Sequence, residues 1–219
     1  ILQSCDIYFY KTIQYYELDR LAQYFRLFGF GKITGIDIGK EYKGTIPNTA
    51  YMNKRYGRFG WSKGSLLNFC IGQGEILVTP IQVFNYTNLL ATKGNANSPH
   101  LVSSMKKEPK SELSLAPQIW DRIIFDMGQV ISHAKGTGKN ADPAIEGVEI
   151  YGKTGTAENP HGEDHAWFIG WVEYERKKFS IVVLLENSGS GGAVAAPLAK
   201  NVFNKIILGI NNSKQISMK

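Results

Sequence analysis

Tyr151-Gly152-Lys153-Thr154-Gly155-Thr156-Ala157 is the stretch on which the reading of this chain turns. One lysine and two threonines sit between glycines behind an apolar approach, the pattern of a strand that ends at a sheet edge. Side chains alternate along a strand, so Lys153 and Gly155 share one face and Thr154 and Thr156 the other, while the glycines admit a second backbone at close range. Such a strand can line an acyl-transfer site. Lys153 would place positive charge beside a nucleophile, a threonine hydroxyl would hold a substrate carboxylate, and the Thr156 N–H would donate to a developing oxyanion. Taken alone, the more ordinary reading is an edge strand with a solvated lysine.

Downstream, the β-rich runs Ala166 to Val172 and Phe179 to Leu185 flank the charged turn Glu173 to Lys178, which predicts a hairpin and, with the Lys153 strand, three antiparallel strands. Ala193 to Leu208 carries Val194, Leu198, Val202, Phe203, Ile206 and Ile207 at helical spacing and predicts a closing amphipathic helix, with a loose tail from Asn211 to Lys219. Upstream, Ala116 to Ala134 predicts another helix, with a stripe of Ile119, Trp120, Ile123, Met127, Val130 and Ile131, stopping at Gly136-Thr137-Gly138. The fold class is therefore α/β of the α+β type, an antiparallel sheet flanked by helices.

Toward the start, Leu18, Leu21, Ala22, Phe25 and Phe28 form the stripe of a helix that ends before Gly29. Gly29 to Ser65 is glycine-rich, without periodicity, and predicts a long irregular excursion. Within it, Lys54, Arg55, Tyr56, Arg58, Phe59, Trp61 and Lys63 interleave cations with rings. Stacking rings beside cations hold single-stranded nucleic acid, but a solvated basic loop is the commoner meaning. Thr79-Pro80 opens a further helix as N-cap and first residue, closed near Gly94. His100 to Met105 predicts a strand leading into a charged loop.

Ser4-Cys5-Asp6 lies at a loop-to-helix junction. A serine there is commonly an N-cap, with an aspartate welcome in the first turn. Combined with Lys153-Thr154-Gly155 it matches two of the three elements of the serine penicillin-recognising signature, Ser-x-x-Lys, Ser-Asp-Asn and Lys-Thr-Gly, with Asp6 in place of the asparagine. Further blocks fall in the same order: Gly35-Ile36-Asp37, Ile71-Gly72-Gln73-Gly74, Thr79-Pro80-Ile81-Gln82 and Glu186-Asn187-Ser188-Gly189. Together they resemble the class B transpeptidases of cell elongation, the penicillin-binding protein 2 branch, over almost the whole chain.

That resemblance implies a penicillin-binding and β-lactamase-like transpeptidase fold, incomplete on its N-terminal side, and a peptidoglycan D,D-transpeptidase that works through a serine acyl-enzyme. It implies that Ser4 and Asp6 act from the helical side and Lys153 from the strand side. Thr154 and Thr156, beside Gly155, would bind the substrate carboxylate, with Gln73 in a supporting role at most. Stem peptides and β-lactams would be the ligands, and a glycosyltransferase with other membrane proteins of the elongation complex the partners, on the outer face of the cytoplasmic membrane; no nucleic acid is expected. No cofactor is expected, although some members hold a structural zinc through the cysteine of this triplet, here Cys5, with Asp and His residues further upstream. A serine carboxypeptidase or β-lactamase is the enzymatic alternative, and a non-catalytic β-lactam-sensing, scaffold or nucleic-acid-binding domain the alternative of another class.

The nucleophile itself is the missing element. Ser-x-x-Lys occurs at Ser103 to Lys106, Ser104 to Lys107 and Ser132 to Lys135. The first two fall in a charged stretch near Pro109, and the third at a helix end, where the dipole opposes a nucleophilic anion. All three follow Ser4, whereas the family places its nucleophile before that triplet. The chain opens on Ile1 with a motif already at residue 4, and is expected to be a single transpeptidase-domain portion of a longer polypeptide. Its Ser-x-x-Lys segment, pedestal and membrane anchor would precede Ile1.

The remaining signals choose little. A net charge of +6 suits any anionic partner. No run approaches the roughly 18 consecutive apolar residues of a membrane span. Cys5 and Cys70 make neither a disulfide framework nor a paired-thiol zinc site. His161, Glu163, Asp164 and His165 form a polar cluster read either as a loop bordering the cleft or, less readily, as metal ligands.

Overall fold

Helix starts in this chain are written by side chains that catch otherwise unpartnered N–H groups, and two of them show it directly. Thr79 accepts from the Gln82 N–H while Gln82 reaches back to the Thr79 N–H, a complete capping box with Pro80 behind it, and Asn48 accepts from the Tyr51 N–H. The computed structural model describes residues 1–102 and 109–217. They divide into two units, Cys5–Pro117 and Gln118–Lys219, the latter taking Ile1–Ser4 with it.

The first unit holds helices α1 (Asp6–Ile13), α2 (Leu18–Leu27), α3 (Thr49–Tyr56), α4 (Ser65–Phe69) and α5 (Pro80–Ala91), and the short strands β1 (Asn95–Asn97) and β2 (Pro109–Glu112). Ile13, Leu18, Met52, Leu66 and Phe69 bring α1 to α4 together in one cluster. Ala22, Phe30 and Ile46 form a second, with Phe25, Phe28 and Tyr86 against it.

Two expectations change here. The excursion Gly29 to Ser65 is interrupted by α3, because Asn48 caps a run whose Met52 is buried among neighbouring helices. The strand expected at His100 to Met105 does not start there. His100, Leu101 and Val102 are irregular, residues 103 to 105 lie outside the described residues, and the ribbon pairs Asn95–Asn97 with Pro109–Glu112. In the basic stretch 54 to 63, read from the sequence as a solvated basic loop around packed rings, Tyr56 bonds to Glu75, Lys63 pairs with Glu17 at 2.6 Å in an exposed ion pair, and the Trp61 indole donates to Asn53 at 2.8 Å.

Residues 29 to 48 contain one isolated bridge, Thr45 to Leu77, so side chains supply the partners that a ladder would. Glu41 accepts from the Thr34 and Gly35 N–H groups at 2.7 and 2.6 Å. Gln82, buried, donates to the Lys32 and Lys43 carbonyls at 2.6 and 3.0 Å. Asp37 accepts from the Leu101 and Val102 N–H groups at 2.6 and 2.8 Å.

The second unit is built on the meander β3 (Glu149–Ala157), β4 (His165–Tyr174) and β5 (Lys177–Leu185), antiparallel throughout, as expected. The β4–β5 turn is tighter than the charged run suggested. Glu175 and Arg176 both take positive φ, +49° and +63°, as a two-residue hairpin turn demands, so Glu173 and Lys178 become cross-strand partners. Helices α6 (Pro117–Ser132) and α7 (Ala196–Ser217) belong to the same unit, α7 entered through a π turn at Gly191–Ala195.

Phe168, Val172, Ala195, Ala199, Phe203 and Ile207 are nearly fully buried together with Val130 and Ile131 of α6. The stripes were placed well but their rims were not: Ile119 and Leu198 are exposed, and small Ala196 and Ala199 make the close contact instead. The expected loose tail is also corrected, since α7 continues to Ser217. Among the described residues one helical stretch, Gly191–Ser213, is long and apolar enough to cross a membrane, yet it carries the buried face of this core.

Candidate functional site

The site grows from β3. Gly152 faces Gly170 across the ladder, and the Phe168 ring fills the space between them: a Cβ on Gly152 would lie 2.5 Å from that ring. Large apolar packing thus fixes the strand immediately before Lys153. The alternation expected from the sequence is present, with Thr154 buried at 9% exposure, Lys153 half-buried and Thr156 exposed. On the other side, a Cβ on Gly191 would overlap the Gly155 and Trp167 carbonyl oxygens, so only glycine lets the entry to α7 lie against the strand.

Ser4 arrives from far away in sequence. The Ser4 N–H closes a turn on the Ile1 carbonyl at 3.2 Å, and Ser4 takes φ +50°, a left-handed conformation uncommon for a residue with a side chain. Its hydroxyl accepts a hydrogen bond from Lys153 Nζ at 2.5 Å, and the same ammonium donates to the Thr154 carbonyl at 2.6 Å. Neither group is sealed in an apolar interior. The N-cap reading of Ser4 is corrected, because Cys5 occupies the cap position of α1 and Asp6 its first turn. Two acceptors fix the ammonium's direction. With Lys153 donating into a lone pair of Ser4, the serine's own hydrogen is left to point elsewhere.

The threonines have separate anchors. Thr154 Oγ1 donates to Thr137 Oγ1 at 2.8 Å, and Thr156 Oγ1 accepts from the Gly191 N–H at 3.3 Å. Thr137 belongs to the Gly136-Thr137-Gly138 stop behind α6, which the sequence offered only as a helix terminator; its signal was two glycines around a hydroxyl. Tyr151 stacks on Trp171 at 5.0 Å with the planes 13° apart and donates to Glu149 at 2.8 Å. Burial first, then that bond, pushes its phenol well above the ordinary range, so it stays protonated.

The other candidates are spoken for. Ser132 donates to the Gly128 carbonyl at 3.1 Å, a back-bonded serine at the helix end, while the matches at Ser103 and Ser104 lie outside the described residues. Asp164 accepts from the Asn159 N–H and, through its carbonyl, from Ser188 and Gly189, while His165 Nδ1 accepts from the Asn187 N–H. The cluster 161 to 165 is thereby a polar clasp between two loops. Among the described residues no group of three or more His, Cys, Asp or Glu side chains is set to hold a metal, and Cys5 is exposed without such company. These residues do not by themselves make a zinc site.

Comparison with known proteins follows the same outline. The family model for the penicillin binding protein transpeptidase domain matches residues 1–204. The peptidoglycan D,D-transpeptidase MrdA of Haemophilus influenzae is 35% identical over 93% of this chain, which covers 35% of that protein. Among solved structures, Pseudomonas aeruginosa PBP2 in complex with WCK 5153 superposes with a TM-score of 0.80 at 34% identity, over 93% of this chain and 45% of that one. Helicobacter pylori PBP2 in complex with MreC does so with 0.80 at 30%, over 93% and 39%. The chain spans about a third of the length of the curated relatives it matches.

Proposed function

The chain belongs to the penicillin-binding protein transpeptidase family, and on that premise we propose that it is the C-terminal portion of the transpeptidase domain of an elongation-type peptidoglycan D,D-transpeptidase. The observation that carries this reading is the Lys153 to Ser4 contact, which joins two signature elements separated by 149 residues. The attacking serine and its lysine are assigned to a part of the polypeptide that precedes Ile1. The greater length of the relatives supports this, as does the back-bonded state of Ser132.

In the proposed reaction that serine gives its hydroxyl proton to the lysine assigned beside it as it adds to the carbonyl of the penultimate D-Ala of a stem peptide. The oxyanion forms against the Thr156 N–H, and the terminal carboxylate rests on the Thr154 and Thr156 hydroxyls, Gly155 leaving room for the peptide backbone. As the C–N bond breaks, Ser4 gives its hydroxyl proton to the departing D-Ala amine and takes another from Lys153. The acyl ester is then attacked by an amine of a neighbouring strand, whose proton leaves by the reverse route to Ser4 and Lys153, while the released serine oxygen takes back its proton from the lysine beside it. A β-lactam stands in for the terminal dipeptide.

The setting assigned to this activity is the outer face of the cytoplasmic membrane. A transmembrane segment preceding residue 1 would anchor the protein, with a glycosyltransferase and other elongation-complex proteins as partners. The PBP2–MreC complex of the Helicobacter pylori relative supports the assignment of protein partners.

Labelling with a fluorescent penicillin tests the reading. In the complete protein, Ser4→Ala and Lys153→Ala should each slow acylation by roughly 100-fold or more, and the 219-residue chain alone should stay unlabelled. An adduct mapped by mass to a serine within residues 1–219, or variants that acylate at the parent rate, would overturn it. Release of hydrolysed penicillin at a rate matching acylation would replace the transpeptidase with a hydrolase.

A further inference from the structure

We infer that Thr137 is a positioning residue that aims the Thr154 hydroxyl at the ligand's carboxylate; this deepens the proposed function and rests on its assignment of Thr154. Thr137 sits in a loop with no slack. The Gly136 N–H donates to the His133 carbonyl at 2.8 Å and the Gly138 N–H to the Val130 carbonyl at 3.0 Å. A Cβ on Gly136 would lie 2.2 Å from the Val130 oxygen, and one on Gly138 2.9 Å from the Ile131 side chain.

The remaining contacts tie the loop to both halves of the site. The Thr137 N–H donates to the Leu2 carbonyl at 3.4 Å, two residues before Ser4. Its carbonyl abuts Gly192, where a Cβ would come within 2.7 Å, and Asn140 pins that glycine by donating to its carbonyl at 3.0 Å. The loop therefore holds the Thr137 hydroxyl at a fixed point against buried Thr154, 2.8 Å away.

A hydroxyl has one hydrogen and two acceptor positions. Two hydroxyls in contact use one hydrogen between them and have one to spare, and in the structure Thr154 donates to Thr137. When a carboxylate approaches Thr154, rotation of both O–H bonds reverses the pair. Thr137 then donates to Thr154, and the Thr154 hydrogen turns to the carboxylate in a charge-assisted bond strengthened by the hydroxyl behind it. No covalent bond changes and no proton changes owner. Valine at 137 keeps the shape and removes the partner, so a buried hydroxyl is left without its anchor.

The test measures acylation rate constants of the complete protein with a β-lactam bearing a free carboxylate and with its methyl ester, and takes their ratio. Thr137→Val should lower the carboxylate form by about tenfold and the ester by less than about twofold. Thr137→Ser should restore the parent ratio, and Thr137→Val with Thr154→Val should lose no more than Thr154→Val alone. Because the ratio is taken within one preparation, it reads the effect even where a variant is partly unfolded.

Equal loss on both ligands would reduce Thr137 to a structural residue and overturn the inference. No loss for Thr137→Val while Thr154→Val is carboxylate-selective would sink the inference and leave the function standing. A Thr154→Val variant without carboxylate selectivity would remove the Thr154 assignment, and this inference with it.

Discussion

In the second unit the backbone of Glu149–Ala157 finds its partners residue by residue in His165–Tyr174, whereas residues 29 to 48 of the first unit hand theirs to the side chains of Glu41, Gln82 and Asp37. The ladder distributes its bonding over many equivalent groups and lets apolar burial set the stability. The excursion concentrates it on single side chains, of which Gln82 serves the Lys32 and Lys43 carbonyls from one nitrogen. The first design should fail by losing core volume and the second by losing one polar atom, and that contrast can be tested at three sites.

The largest effect belongs to the core. Phe168 is fully buried, with its ring over Gly152 and 6.5 Å from Phe203 in an edge arrangement. Phe168→Ala should cost about 3–5 kcal/mol of unfolding free energy by transfer and cavity together. Denaturant unfolding followed by tryptophan fluorescence measures it. A loss under 1 kcal/mol would mean that the strand before Lys153 is not held by this ring, and the packing account of the sheet would fall.

Next comes Gln82, where a polar atom should matter nearly as much as a ring. Gln82→Leu keeps the volume but orphans the Lys32 and Lys43 carbonyls and half of the capping box, a loss of about 2–3 kcal/mol. Its signature is local: amide exchange should quicken through residues 29 to 48 and leave Glu149–Ala157 unchanged. Uniform quickening across both regions would erase the distinction between the two ways of ordering a chain.

The same distinction governs what the sequence could reveal. The meander was legible because period-two alternation and hairpin spacing are local, and the α5 start because Thr79, Pro80 and Gln82 sit within one turn. The excursion was opaque because its organising bonds link residues 50 and 65 positions apart, as Gln82 to Lys32 and Asp37 to Val102 do. α3 was hidden in a glycine-rich context that outweighed its Asn48 cap, and β1 and β2 are too short to show a period. At the site, the individual roles of Ser4 and Lys153 came from the order of the motifs. Thr137 escaped because a hydroxyl between two glycines reads first as a helix stop.

Asp37 gives the smallest effect and the sharpest sign. The Val102 N–H first, and the Leu101 N–H after it, stabilise the carboxylate and hold its pKa below the ordinary aspartate range. A folded-state pKa depressed below the unfolded one contributes stability that is complete above the unfolded value, near 4, and is lost as pH falls through the folded value. The group is exposed, so the consequence is a local loosening rather than global unfolding. Protection of the Leu101 and Val102 amides, with exchange rates corrected for intrinsic pH dependence, should therefore be flat above about pH 5 and fall on acidification. In Asp37→Asn it should be low and independent of pH throughout. Protection that instead rises on acidification would show that the two amides are held by some other acceptor, and the carboxylate would lose its place as the clasp between residues 37 and 102.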